Sequence, residues 1–144
     1  MRESYRIDSV AQGFADEFLR ASLTRQRATL AAACAAGLIN AGVVEPVASK
    51  VLELIRSGCS GTDALRKELD EMVAQYDEEY FSRSEDVGRV DAAAMVKFSK
   101  ARAFSALSYA LGEGDDWLEA LYEAVSTMDE QKPMVERLRA LLLA

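Results

Sequence analysis

Chemistry in this sequence falls to carboxylates and arginines, because the chain contains no histidine. Without imidazole there is no Ser-His or Cys-His nucleophile pair, no His-ligated zinc and no switch near neutral pH. The two cysteines, Cys34 and Cys59, form no C-x-x-C pair and are too few for a disulfide scaffold or a four-cysteine zinc site. Cys34 lies in the apolar run 31–38 and reads as a small buried hydrophobe. This cysteine usage suits a reducing cytoplasm.

The carboxylates offer one concrete enzymatic reading. Mg²⁺ takes several carboxylate oxygens, and all-α nucleotide pyrophosphohydrolases supply them from an E-x-x-E on one helix and an E-x-x-D on another. Glu68-Leu-Asp-Glu71 meets the first half of that pattern. The second half, Glu113-Gly-Asp-Asp116, begins in a glycine-rich break too far downstream, so no family resemblance is drawn. A Mg²⁺-dependent phosphohydrolase would therefore combine Glu68 and Glu71 with Glu119 and Glu123. The plainer reading is a solvated helix face, with Asp115 as an N-cap and Asp116 and Glu119 complementing the helix dipole. The segment 112–116 also lacks the alternating oxygen ligands of an EF-hand.

Arg102 is the least ordinary residue. A helical wheel sets it among Phe98, Ser105, Ala106 and Tyr109, where a guanidinium needs a partner, and Asp77, Glu78, Glu119 and Glu123 are the candidates. An internal ion pair that fixes helix register is the first expectation. In the functional alternative Arg102 binds a small anionic ligand in a pocket walled by Tyr109, Trp117 and Tyr122. A third possibility is that Arg102 snorkels to solvent. Aromatic residues at helical spacing are mostly core, although an exposed Trp117 beside Phe104 and Leu111 would mark a partner patch.

These residues must be positioned by helices, since apolar spacing is helical throughout and no alternating β-branched run occurs. The pattern predicts a first helix over about 8–20. A second stripe through Leu23, Leu30, Cys34 and Leu38 ends at Gly42, and the uncharged stretch 28–44 reads as a buried core helix. A short third helix opens at Pro46 and stops at 57–61. The fourth starts at the Thr62 cap, carries Leu65, Leu69, Met72, Val73, Tyr76 and Tyr80, and gives way to a polar loop over 82–90. The fifth, over about 91–111, is apolar nearly all round and therefore central. The sixth follows Asp115, and Pro133 opens the last. The expected fold is an all-α, single-domain bundle of six or seven helices over residues 1–144, a length that supports a hydrophobic core.

Charge narrows the function classes. The net −7 opposes a nucleic-acid or anionic-membrane surface. The segment 47–81 has a rough helix-turn-helix layout, but its second helix offers Arg66 and Lys67 against seven carboxylates, which phosphates would repel. No signal-peptide h-region or convincing membrane span is found, so a cytoplasmic location is expected. The leading expectation is a non-enzymatic, acidic, helical protein-interaction module: an adaptor, an immunity or inhibitor protein, or a regulatory protein. It would need no cofactor, would meet a basic protein partner and would form homo-oligomers. The Mg²⁺ phosphohydrolase and the anionic-ligand binder around Arg102 are the alternatives.

Overall fold

The computed structural model describes residues 4–59 and 61–143. A 3₁₀ turn (Arg6–Ser9) leads into seven α-helices among the described residues: α1 (Phe14–Arg20), α2 (Leu23–Ala41), α3 (Pro46–Ser57), α4 (Asp63–Val87), α5 (Ala92–Ala110), α6 (Asp116–Val125) and α7 (Lys132–Leu143). No strand occurs among these residues, so the fold is the all-α bundle that the spacing predicts.

Local chemistry sets the helix boundaries. The hydroxyls of Ser22 and Thr62 accept the backbone N–H groups of Arg25 and Leu65, and the Asp91 carboxylate accepts that of Ala94. Each bond satisfies one of the orphan donors at a helix start. α2 and α4 end on Gly42 and Gly88 at φ 70° and 76°, a left-handed geometry that a Cβ disfavours.

Two boundaries differ from the sequence expectation. The helix expected over 8–20 is divided: the 3₁₀ turn stops, Gly13 turns the chain at φ 79°, and α1 starts afresh with the Ala15 N–H donated to Asp8 Oδ1. The polar loop expected over 82–90 is helical as far as Val87. Its polar residues occupy the outer side of a helix whose inner side rests on α5. The Ser84 hydroxyl donates back to the Tyr80 carbonyl, and Arg83 holds Asp91 across the turn at 2.8 Å.

α5 is the central helix, packed against α2, α3, α4 and α6. Its small residues Ala101, Ala103 and Ala106 are buried together with Phe104 and Leu107, which allows close helix approach. On α2, Cys34 faces the Ala106 carbonyl, and burial pushes its thiol up to about 12. α2 is only half the buried helix expected for 28–44. Leu30, Ala33 and Leu38 point inward, while Ala28, Ile39 and Asn40 lie open and Ile39 is 82% exposed. No helix among the described residues is long and apolar enough to cross a membrane.

α4 packs chiefly on α5, forming a long helical hairpin. Only the basal parts of this hairpin are well covered. On α4 the buried residues are Leu65, Leu69 and Tyr76, and on α5 only Ala94 is buried before Ala101. The far end, 77–87 with 91–99, therefore stands clear of the core.

Candidate functional site

The base of the hairpin is organised by Arg102. Its Nη2 donates to both Asp77 oxygens at 3.0 and 3.1 Å, and its Nη1 donates to both Glu123 oxygens at 3.2 Å. One guanidinium thereby joins α4, α5 and α6 through the planar fork that suits arginine to carboxylates. Glu123 is the most buried carboxylate of the group, with a side chain 5% exposed. It also accepts the Ser105 hydroxyl at 3.3 Å and lies 3.6 Å from Arg6. Arg6 completes the cluster by bonding Glu119 and stacking over the Tyr122 ring at 4.5 Å. The hydrogen bond to Glu119, followed by nearby carboxylate charge, raises the Arg6 pKa despite its partial desolvation.

Two arginines face three carboxylates here, so the cluster carries no surplus positive charge for an anionic ligand. Arg102 gives both terminal nitrogens to protein carboxylates, and its Nε–H is buried without a hydrogen-bond partner among the described residues. Asp77 and Glu123 are two of the four partners that the wheel offered. Arg6 was missed, because no periodicity links a residue near the start of the chain to Tyr122.

The other expected site residues are scattered around this hub. Tyr122 is half-buried under Arg6. Tyr109 is two turns along α5 from Arg102 and lines a shallow recess of about 330 Å³ with Arg66, Asp70 and Ser108. Within that recess Ser108 donates to Asp70 at 2.6 Å. Trp117 faces a different recess of about 190 Å³ beside Cys59 and Leu111, and its indole N–H donates to the Gly112 carbonyl at 3.0 Å. Phe104, its imagined neighbour in an exposed patch, is wholly buried. The three aromatics thus do not enclose one pocket with Arg102.

The carboxylates of the Mg²⁺ reading are divided in the same way. Glu68 and Glu71 lie exposed on the outer side of α4, whereas Glu119 and Glu123 of α6 are engaged by Arg6 and Arg102. No group of three or more metal-ligating side chains comes together among the described residues.

Above the hub, the hairpin changes from charged to apolar. Arg102 lies 5.6 Å from the Phe98 ring, Phe98 lies 5.6 Å from Tyr80, and Tyr80 meets Phe81 edge-on at 5.2 Å. This aromatic run ends in the open: Phe81 is 64% exposed, and Val90, Met95 and Val96 are also exposed at this end of the hairpin. Met95 is two turns from Arg102 on the same helix face. The apolar stripes of α4 and α5 thus continue past their partners. The opposite side is polar, with Lys97 3.6 Å from Glu79 and both Lys97 and Lys100 near the Tyr76 ring. Burial, followed by the charges of Glu45 and Glu79, raises the pKa of the Tyr76 hydroxyl, which donates to Glu45.

Comparison with known protein families, curated proteins and solved structures returned no match.

Proposed function

We propose that this chain is a non-enzymatic protein-interaction module, an adaptor, inhibitor or regulatory protein, whose working surface is the free end of the α4–α5 hairpin. The observation that carries this reading is the exposure of Phe81, Val90, Met95 and Val96, four large apolar side chains on the end of the hairpin that stands clear of the core. Exposed apolar side chains beside polar residues suit a partner surface, and an exposed aromatic is its natural anchor. The Arg102 cluster beneath it supplies rigidity by locking α4, α5 and α6 in register.

Acidic residues border these side chains. α4 holds nine Asp and Glu against three Arg and Lys, which accounts for most of the chain's −7. Glu78 and Glu85 lie within one turn of Phe81 on the same side of the helix. This surface favours a basic partner and would accelerate its approach.

The test is affinity capture from the native host with wild type and with Phe81→Ser/Met95→Ser/Val96→Ser. These positions lie outside the buried core, so the variant is expected to stay folded, with at most a modest fall in melting temperature, while losing the captured partner. Retention of the same partner by the variant would remove the hairpin end from its role.

A further inference from the structure

The face of α2 turned away from α5 forms the floor of a groove, with α3 on one side and α7 on the other. Three recesses of about 350, 340 and 250 Å³ share lining residues and run into one another. Alanines floor the groove from Ala28 through Ala32 to Ala36, and the exposed Ile39 lies beside them. Arg27, Arg56 and Arg137 form its rim. α2 holds no acidic residue, and Arg27 and Arg137 make no ion pair with any described residue. Among the described residues Arg56 pairs only with the exposed Glu53, and Glu130 is the one acid among the lining residues. In a chain of net −7 this groove is locally basic.

The same chain carries the complementary shape elsewhere. The outer side of α4 places Ala74 and Phe81 seven residues apart on one stripe, with Glu71, Glu78 and Glu85 beside them. A protruding phenylalanine flanked by acidic residues fits a small-residue groove with an arginine rim, and small residues on the floor permit close helix approach. The groove floor from Thr24 to Ile39 is roughly 22 Å long at 1.5 Å per residue, and α4 is longer than that. Docking uses only the outer side of α4, so its packing on α5 is undisturbed.

We propose that the α2 groove binds the outer face of α4 from a second copy of this chain, with Phe81 as the anchor. The proposal rests on the hairpin end being a contact surface and names its occupant. Because the two contacting surfaces differ, the interface is heterologous, and the copies assemble head to tail into chains or a closed ring. The arginine–carboxylate contacts make the assembly weaken as salt rises.

Sedimentation velocity on the purified chain, from micromolar to near-millimolar concentration, tests this directly. Wild type is expected to gain mass with concentration. Arg27→Glu/Arg137→Glu spoils the groove and Phe81→Ser spoils the anchor, so each variant alone is expected to remain monomeric. Their equimolar mixture retains one intact groove and one intact anchor, so it is expected to form a dimer and nothing larger. A wild type that stays monomeric, or a mixture that does not dimerise, overturns the proposal. Should the groove variant fold poorly, p-benzoylphenylalanine at position 81 keeps the test independent of it. A photo-crosslink to α2 of another copy supports the proposal. In the native host, a crosslink to a different protein overturns this inference but spares the interaction reading, and no crosslink at all overturns both.

Discussion

Replacing Arg102 with methionine keeps much of the side-chain volume and removes the charge that joins three helices. Glu123 would be left 5% exposed with only the Ser105 hydroxyl and Arg6, at 3.6 Å, for compensation. Removing one member of a buried ion pair typically costs about 3–5 kcal/mol, mostly because the other charge is stranded. Three features reduce that figure here. Arg102 is itself 20% exposed, Asp77 can rehydrate, and the substitution also removes a buried Nε–H that lacks a hydrogen bond. We expect a loss of about 2–3 kcal/mol. With an unfolding entropy of about 2.1 cal/mol/K per residue, a 144-residue chain then melts about 7–10 °C lower. Differential scanning calorimetry measures the shift, and urea titration checks the free energy. The double variant Arg102→Met/Glu123→Gln is expected to recover part of the loss, since no buried charge is then stranded. A single-variant loss below about 0.5 kcal/mol, within the range of exposed pairs, would refute the hub assignment.

Other predictions address separate parts of the molecule. Gly37 lies inside α2 with an ordinary helical backbone, and an added Cβ would rest 3.7 Å from Ala124 and Thr127, so Gly37→Ala is expected to stabilise by about 0.5–1 kcal/mol in thermal unfolding. Ellman's reagent should label one thiol per native chain promptly, because Cys59 is exposed, and the second only on unfolding, because Cys34 is buried with its thiol pushed up to about 12. Arg83, then the Ala94 N–H, hold the Asp91 carboxyl below its usual range. Its stabilising contribution is therefore complete above the ordinary carboxylate pKa and disappears as pH falls through the depressed value. Asp91→Asn should flatten this acid-side dependence, read from amide exchange at Ala94 and Met95.

The sequence carried helices well because their ends depend on local chemistry. Gly42, Pro46, Thr62 and Asp91 punctuate the chain as their backbone geometry and capping groups require. It failed at 82–87, where polarity marked a solvated helix face that looks like a loop when read without its neighbour. Arg102 was legible as a residue needing a carboxylate because, unlike Lys97 and Lys100 on the same helix, it sits among Phe98, Ala106 and Tyr109. The completion by Arg6 depended on tertiary packing alone. Apolar periodicity also cannot tell a covered stripe from an open one, so the overhang of Met95 and Val96 and the open side of α2 emerged only with the arrangement of helices.

The contact between α1 and α7 has a consequence for how the chain is made. Arg139 of α7 bonds Glu17 at 2.9 Å, reaches the Gln12 carbonyl and lies over the Phe14 ring. Phe14 and Phe18 are almost wholly buried, yet α7 is synthesised more than a hundred residues after them. At about 5–20 residues per second, the interval is roughly 6 to 25 s. During that time these phenylalanines lack their final cover, so the earliest helix is among the last to settle. A nascent chain stalled before Lys132 would present them to chaperones, and synthesis of α7 would withdraw them.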